Sequence, residues 1–543
     1  MCSDIPRYPY TFTLLAPHQN EAMIQLDVLD WEKQPMQKNE AGVFYWNTEL
    51  PDGTYRYRFH LPSQSWFYDE NTWLDVIDPL ATEVDEAEGV AIVHLAQGMP
   101  VHSNYAWQAD TVEQLPPHTW VLYEMHVGIF ANTFQGCLEK LPYLQTLGIT
   151  ALQLLPVQAF PGENSLGYNP AYFLAPDPTY GTPEDLMQFV DHCHERQIVC
   201  LGDFIFNHAS PESPLAQIDH DYWFHHEAKD PDQSWGPEFN YDFYDEEHQR
   251  YPAWEYAQHI IEHWLYNYHL DGLRYDAVKQ INHRPFLDWV TQQAHFTSGP
   301  KRFFNIAECI PDEPSMVAQG GPMNSCWHDS FCHEVRRFLA GEAFDMDALY
   351  SALDGTQKGY ETPLQMVNYL SNHDQPRMHS YLLAQGLSEE EALLRHELGV
   401  ALLFFAVGIP MVRMGEEMAW HTDDADETQL HLPWDRLEQE AVGALFRCYQ
   451  QWIHWRKEKP ALQQGALRWL ATEPLWWLVR EHEGQAMLLI LNPGETPQPL
   501  PNEQDWPTGD TPWQILAGEE GLNHDGALLP WQCLIFENAH GVE

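Results

Sequence analysis

The pattern of hydrophobic and polar positions changes twice along the chain. Residues 8–100 contain short runs rich in β-branched and aromatic residues, separated by turn signals such as PDG at 51–53. This pattern is typical of β-strands, and it predicts a small N-terminal β-sandwich. After about residue 465 the helical period fades and strand-like runs such as LWWLVREH return, which predicts a C-terminal β domain.

Strands and helices alternate in the part of the chain between these regions. The run IVCLGDFIFNH is nearly all apolar, as a strand buried on both faces should be. The stretch TPEDLMQFVDHCHERQ predicts a helix with Thr182 as N-cap and Pro183 at its first position. About eight strand–helix units over roughly 300 residues are the size of a (β/α)8 barrel. A doubly wound sheet is the alternative, but it usually carries a glycine-rich phosphate turn, and the chain has neither GxGxxG nor GxxxxGK[ST].

The predicted fold class is α/β: a (β/α)8 TIM barrel flanked by an N-terminal β-sandwich and a C-terminal β-sandwich domain. We place the boundaries at residues 1–110 for the N-terminal domain, 111–460 for the barrel and 461–543 for the C-terminal domain. The segment 209–252 is long, polar and aromatic. Because it follows the predicted third strand, we expect it to be a loop excursion over the barrel mouth.

Charge and cysteine content limit the classes of binding partner and the cellular compartment that we expect. The chain has 27 Lys and Arg against 80 Asp and Glu, a formal charge of −53. A protein with this much negative charge repels nucleic acid and anionic membranes, so we expect neither as a partner and favour a neutral substrate. Nine cysteines without a CxxC pair, and an N-terminus without a signal-peptide pattern, indicate free thiols and a cytoplasmic location. No apolar run is long enough to span a membrane.

Polar and charged side chains follow the predicted third, fourth, fifth and seventh barrel strands. In chain order they are Asp203, Asn207, His208, Arg274, Asp276, Glu308, His373 and Asp374. The C-terminal ends of barrel strands meet at one mouth, where active sites of this fold lie. We therefore expect these side chains to lie together.

This set fits the retaining cleavage of a glycosidic bond, which uses two carboxyl groups about 5–5.5 Å apart. Arg274 and Asp276 are two residues apart and share one face of a strand, so the arginine should hold Asp276 ionised as a nucleophile. Glu308 follows the apolar pair Ile306 and Ala307. Desolvation there should raise its pKa and suit it as an acid.

Each of these signals has a structural alternative. Arg274 and Asp276 alone would be an ordinary ion pair, His208 a core histidine, and Glu308 a helix N-cap. The catalytic interpretation is favoured because the elements recur in order on successive strand ends. No HExxH or EF-hand pattern occurs, so we predict no metal and no other cofactor.

Four stretches carry a family resemblance, in the order DFIFNH (203–208), GLRYDAVKQ (272–280), IAEC (306–309) and YLSNHD (369–374). With LGYNPAYFLAPDPTYGTPEDL (166–186), they resemble the α-amylase family of glycoside hydrolases, family 13. The resemblance covers most of the chain. The N-terminal part is similar to the carbohydrate-module-like domain of family 48 that precedes branching, debranching and trehalose-releasing members.

The resemblance implies a role for each matching residue. Asp276 would be the nucleophile, Glu308 the acid/base and Asp374 the third carboxylate that holds sugar hydroxyls and distorts the ring. The implied substrate-binding residues are Tyr168, His208, Arg274, Lys279 and His373. Asp203 and Asn207 would be structural residues near the site. Many amylases bind calcium partly through the residue that matches Asn207, but we do not predict the ion here.

The motifs leave the reaction open between related members. NHDQPR and Lys279 favour a retaining hydrolase of α-1,4-glucan or maltooligosaccharides. YEMHVGIF with the N-terminal sandwich resembles 1,4-α-glucan branching enzymes, which are transferases, and maltooligosyltrehalose trehalohydrolases. LGYNP departs from the WGYDG of the latter at Leu166 and Asn169, AEC departs from the AEE of branching enzymes, and Gln280 replaces a histidine common in amylases. A catalytically silent glucan-binding protein is disfavoured because all three carboxylates are present.

Overall fold

The computed structural model describes residues 5–70, 72–103, 105–109, 115–162, 166–421, 430–501, 506 and 512–539. Its N-terminal part consists of two antiparallel sheets that enclose one hydrophobic core. The strands are β1 Tyr8–Leu15, β2 Met23–Leu26, β3 Gln34–Pro35, β4 Gln37–Lys38, β5 Val43–Leu50, β6 Gly53–Pro62, β7 Trp73–Val76, β8 Val84–Asp85, β9 Val90–Ala96 and β10 Met99–Pro100. The smaller sheet has the order β1-β5-β4, and β6 lies in the middle of the larger one.

Period-2 alternation explains why these strands form sheets with one buried face. In β1, Phe12 and Leu14 point into the core, while Thr11 and Thr13 face outward. Phe59 on β6 and Ile24 on β2 are cross-strand neighbours and are fully buried in the same core. The apolar set on each strand therefore fixes the register of the two sheets.

Eight parallel strands close into a barrel in the central part of the chain. They are β11 Leu122–Met125, β12 Ala151–Leu154, β15 Val199–Phe204, β16 Gly272–Tyr275, β17 Phe304–Ala307, β18 Ser325–Trp327, β19 Met366–Tyr369 and β20 Ile409–Arg413. The closing contact pairs β20 with β11 in parallel. A two-stranded antiparallel sheet, β13 Gln158–Ala159 and β14 Tyr172–Pro176, follows β12.

Helices connect the barrel strands and pack around them. They are α1 Val127–Ala131, α2 Phe134–Leu147, α3 Pro183–Glu195, α4 Pro214–Trp223, α5 Pro252–Tyr268, α6 Val278–Ile281, α7 Arg284–Ser298, α8 Asp329–Ala340, α9 Met346–Asp354, α10 Met378–Ala384, α11 Glu389–Phe405, α12 Glu440–Glu458 and α13 Pro460–Gln464. The predicted start of α3 is confirmed: Thr182 Oγ1 accepts from the Asp185 N–H, and the Asp185 carboxylate accepts from the Thr182 N–H. The excursion 209–252 is not all loop, because it contains α4.

A C-terminal β region completes the chain. Its strands are β21 Ala466–Ala471, β22 Trp476–His482, β23 Gln485–Leu491, β24 Gln498–Pro499, β25 Gln514–Ala517, β26 Ala527–Leu528 and β27 Cys533–Ala539. Arg480, which is fully buried, joins this region to the barrel by donating to the carbonyl oxygens of Phe405 and Ala406 at the end of α11. The buried guanidinium thus satisfies carbonyls that the end of α11 leaves without helical partners.

The predicted fold class is confirmed: a closed parallel (β/α)8 barrel lies between antiparallel β-sheets at both ends of the chain. Among the described residues, no helix is both long enough and apolar enough to cross a membrane. Eight of the nine cysteines lie in the described ranges, and all eight are free thiols, as the sequence predicted.

Candidate active site

Arg274 is the centre of the polar cluster at the barrel mouth. It projects from β16 and is fully buried. Its Nη1 lies 2.7 Å from Asp203 Oδ1 on β15 and 2.8 Å from Asp276 Oδ1, just after β16. Its Nη2 lies 3.0 Å from Glu308 Oε2, just after β17. One guanidinium therefore positions carboxylates from three adjacent strands, which a planar fork of donors can do and an ammonium cannot.

Aromatic rings hold the guanidinium in place. The Arg274 Cζ lies 4.3 Å from the ring centroid of Trp327, a fully buried residue at the end of β18, and 5.5 Å from that of Tyr168. Both distances are in the range of cation–π contacts. Trp327 was not among the sequence candidates, because its side chain gives no chemical signal until the barrel brings β18 beside the arginine.

Asp276 and Glu308 form a direct pair. Both carboxyls contact the same guanidinium, Asp276 Oδ1 at 2.8 Å from Nη1 and Glu308 Oε2 at 3.0 Å from Nη2, which holds them next to each other as the mechanism of retaining glycosidases requires. Ala277, between Asp276 and α6, has a left-handed φ of 50°. In this turn the Ala277 N–H donates to Glu308 Oε2 at 2.7 Å. The local backbone after β16 therefore helps to hold the carboxylate that follows β17.

The charge distribution in this pair differs from the sequence-based expectation. Burial, and then the negative charge of Glu308, raises the pKa of Asp276 well above its usual value. Burial alone would also raise the pKa of Glu308, but Arg274 and the Ala277 N–H outweigh it and lower that pKa. The expectation that burial beside Ile306 and Ala307 raises the pKa of Glu308 was therefore wrong. It considered only the chain neighbours of Glu308, whereas the fold adds a cation and an amide donor.

His373 and Tyr168 form a stacked pair beside the carboxyls. Their ring centroids are 4.6 Å apart with an interplanar angle of 14°. The Tyr168 hydroxyl donates to Asp203 Oδ2 at 2.6 Å, and His373 Nδ1 donates to Glu124 Oε1 at 3.0 Å. Burial would lower the pKa of His373, but Glu124 and then Asp374 outweigh it and raise the pKa. The imidazole is therefore biased towards its cationic form.

Glu124, on β11, was also missing from the sequence candidates. It lies in the quoted stretch YEMHVGIF, and a carboxylate inside an apolar strand was the signal that could have identified it. The closure of the barrel pairs β11 with β20, which is itself paired with β19, and so brings Glu124 within reach of His373, four residues after the end of β19.

His208 is buried, and both of its ring nitrogens have protein partners. Nε2 donates to the Tyr168 carbonyl at 2.9 Å, and Nδ1 lies 3.3 Å from the amide nitrogen of Asn207. Burial lowers the pKa of His208 to about 4, so the ring is neutral. A contact between His208 and a sugar hydroxyl would require one of these bonds to be exchanged.

An open cleft of about 1110 Å³ lies above the cluster. Asp276, Glu308, His373 and Asp374 line it together with Tyr168, His208 and Lys279. Asp374 is half-exposed, 3.4 Å from His373 Nε2, and Lys279 is exposed on α6. Arg274, Asp203 and Asn207 are buried beneath the cleft. The structure thus brings together all ten residues that the sequence singled out.

The excursion supplies further lining residues that the sequence did not identify singly. They are Lys229, Asp230, Gln233, Trp235 and Glu238. Gln233 and Gln280 are hydrogen bonded at 2.9 Å, which joins the excursion to α6 across the cleft rim. Trp235 is about half-exposed, with its ring 5.8 Å from that of His208. The exposed indole provides a flat apolar face beside the polar floor of the cleft.

No group of three or more His, Cys, Asp or Glu residues suited to a metal ion occurs within the described ranges. The Asn207 amide is turned towards the His208 ring. The absence of a metal or other cofactor stays a prediction.

Comparison with known proteins relates this site to glucan-active enzymes. Residues 127–311 match the family model described as the catalytic domain of alpha amylase. A malto-oligosyltrehalose trehalohydrolase from Saccharolobus solfataricus is 26% identical over 445 residues, covering 75% of this chain and 73% of that protein. A 1,4-alpha-glucan branching enzyme from Bordetella parapertussis is 31% identical over 294 residues, covering 51% of this chain but only 38% of that protein. The pullulanase from Anoxybacillus sp. LM18-11, solved with maltotetraose, shares the fold with a TM-score of 0.81 at 17% identity, covering 99% of this chain and 87% of that chain.

Proposed function

We propose that the chain is a member of the α-amylase family of glycoside hydrolases and acts as a retaining hydrolase of α-1,4-glucosidic bonds in glycogen- or starch-type glucan or in maltooligosaccharides. The observation that carries the proposal is the Asp276–Glu308 pair, which one guanidinium holds at the floor of a cleft large enough for several sugar units.

In the proposed first step, an oxygen of Asp276 attacks the anomeric carbon and the glycosidic C–O bond breaks. Glu308 gives its proton to the leaving oxygen, and a covalent glucosyl-enzyme forms. Asp276 must then be ionised and Glu308 protonated. Arg274 holds both carboxyls, so they titrate as one pair that shares a proton, and this proton must be on Glu308 when the substrate reacts.

In the second step, water attacks the anomeric carbon from the face that the leaving group vacated. Glu308 takes a proton from this water, and the bond to Asp276 breaks to restore the carboxylate. Arg274 keeps Asp276 oriented through both steps. Asp374 and the cationic ring of His373 face the same cleft and are placed to bind hydroxyls of the reacting sugar.

A trehalohydrolase is the second candidate. The similarity to the Saccharolobus enzyme over 75% of the chain favours it, and Leu166 and Asn169 in the LGYNP stretch speak against it. A branching enzyme shares the first half-reaction and differs in the acceptor, which is a sugar hydroxyl in place of water. The free thiols of the eight described cysteines support the proposed cytoplasmic location.

One experiment separates the three reactions. The protein is incubated with linear α-1,4-glucan and, separately, with maltooligosyltrehalose, and reducing ends, iodine staining and free trehalose are followed. Rising reducing ends with falling stain support the proposed hydrolase. Falling stain at constant reducing ends would establish the branching reaction instead, and trehalose release without attack on the linear glucan would establish the trehalohydrolase. Asp276→Asn is the matched inactive control.

A further inference from the structure

A second exposed indole lies outside the catalytic cleft. Trp66, in the loop between β6 and β7, is 58% exposed, and Phe67 beside it is 40% exposed. Large aromatic side chains that remain in water on a folded surface often mark a binding site. Neither residue has a part in the proposed reaction.

Neighbouring rings hold the Trp66 indole in place. Its centroid lies 5.4 Å from that of Phe67 and 5.8 Å from that of His220, both nearly perpendicular to it. His226 lies 5.4 Å away, tilted by 54°. An indole restrained by three neighbouring rings loses little side-chain entropy when it binds a ligand, as a preformed platform requires.

Polar groups border this aromatic surface. The Asp221 carboxylate accepts from His220 Nδ1 at 2.8 Å and from His226 Nδ1 at 2.9 Å. The side chains of Asp221 and His226 are more than half exposed. A flat apolar face beside a carboxylate and an imidazole matches a sugar, which has apolar C–H faces and a rim of hydroxyls.

Backbone contacts fix Trp66 relative to the barrel. The Gln64 N–H donates to the Ile218 carbonyl at 2.8 Å, and the His220 N–H donates to Ser65 Oγ at 2.9 Å. The loop that carries Trp66 is therefore tied to α4 of the excursion. The platform is composed of residues from the N-terminal sheets and from the barrel excursion together.

The excursion leads from this platform to the catalytic cleft. The His225 N–H donates to the Glu238 carbonyl at 2.8 Å, and the Lys229 N–H donates to the Glu238 carboxylate at 3.0 Å. Lys229 and Glu238 line the cleft, and Lys229 is only three residues after His226. A chain of several sugar units that leaves the cleft over this rim would reach the indole.

We propose that Trp66, Asp221 and His226 form a second glucan-binding site, which holds a distant part of the same α-glucan chain while another part lies in the catalytic cleft. This proposal rests on the proposed function for the identity of the ligand. The strongly negative chain, with its formal charge of −53, agrees with a neutral polymer as the occupant. The site would add affinity for long chains and leave the turnover of short ones unchanged.

The test compares long and short substrates. Trp66→Ala should lower kcat/KM on glycogen by about three- to tenfold, the range expected for losing one aromatic stacking contact. Its kcat/KM on maltotriose should stay unchanged. Asp221→Ala should act in the same direction. Phe296→Ala removes an 82% exposed aromatic residue from α7 and is the matched control, expected to change neither value.

Binding is measured separately from turnover. Binding is measured in an Asp276→Asn background as the retardation of the protein in a native gel that contains glycogen. Adding Trp66→Ala should reduce this retardation, and adding Phe296→Ala should leave it unchanged. Unchanged retardation and an unchanged glycogen-to-maltotriose ratio would overturn the second site, as would an equal loss from Phe296→Ala. If the protein hydrolysed no glucan yet showed Trp66-dependent retardation, the proposed function would fail and the second site would stand.

Discussion

The Nδ1 atom of His373, after the seventh barrel strand, lies 3.0 Å from Oε1 of Glu124 on the first strand. Glu124 is 1% exposed, and the His373 ring is stacked on Tyr168. A buried carboxylate next to the ring stabilises its protonated form. Arg274 beneath the cleft is therefore joined by His373, an imidazole biased towards its cationic form, beside the Asp276–Glu308 pair. Positive charge on either group favours the ionised form of a neighbouring carboxyl.

Replacing Glu124 by Gln should remove most of this stabilisation of the imidazolium. Glu124 raises the pKa of His373 in the folded protein. The ion pair therefore contributes fully to the free energy of unfolding at pH values below the pKa of an unfolded histidine. This contribution is lost as the pH rises through the raised pKa of folded His373. We expect Glu124→Gln to lower the free energy of unfolding by about 1–3 kcal/mol near pH 5.5. The deficit should shrink towards alkaline pH. Urea unfolding at several pH values measures this, and a deficit that grows with pH would contradict the proposed ion pair.

Replacing Arg274 by Lys should inactivate the enzyme even though it keeps the charge. A lysine ammonium is a point charge and cannot reach Asp203, Asp276 and Glu308 from one fixed plane. We expect kcat to fall by at least about a hundredfold, because the nucleophile loses its orientation. Steady-state kinetics on maltoheptaose provide the measurement. An activity within a few-fold of the parent would show that Asp276 does not depend on this arginine.

The pH dependence of kcat/KM should be bell-shaped, since turnover needs one proton in the Asp276–Glu308 pair. Burial and the charge of Glu308 raise the pKa of Asp276, so the pair keeps its last proton well above the usual carboxyl range. The alkaline limb should therefore lie far above about pH 4, the ordinary carboxyl value. Glu308→Gln should abolish this limb for an aryl maltoside whose leaving group needs no protonation. An alkaline limb that survives in Glu308→Gln would assign the proton elsewhere.

Lys279→Ala should weaken binding on one side of the cleft without affecting folding. The side chain is exposed at the rim on α6. We expect KM for maltoheptaose to rise several-fold, since a charged hydrogen bond to substrate contributes about 1.5 kcal/mol or more. The melting temperature should stay within about 1–2 °C, as surface substitutions rarely change stability by more. Equal kinetics in both proteins would remove Lys279 from the substrate-binding set.

Chelation should leave the enzyme unchanged, because the sequence predicts no metal cofactor. Activity and melting temperature measured after dialysis against EDTA should equal those of the untreated protein. A loss that calcium restores would contradict the prediction and would direct attention to Asn207.

The sequence predicts the barrel well because strands buried on both faces are apolar throughout, as in the segment that ends at Asp203. It also predicts which strand ends bring polar and charged side chains together, since parallel barrel strands all end at one mouth. Glu124 and Trp327 were missed because their roles depend on which strands become neighbours. The expected direction of the Glu308 pKa shift was wrong because the Ala277 N–H and the shared Arg274 act across strands. Long-range proximity, and not local pattern, sets these properties.

The most direct test of the account is to identify the residue that becomes covalently attached to sugar. The protein is incubated with 5-fluoro-α-glucosyl fluoride, which forms a glucosyl-enzyme that is slow to hydrolyse, and peptides are analysed by mass spectrometry. We expect one added fluoroglucosyl group on the peptide that contains Asp276, and none in Asp276→Asn. An adduct on a different residue, or steady release of fluoride without an adduct, would contradict the assignment of Asp276 as the nucleophile.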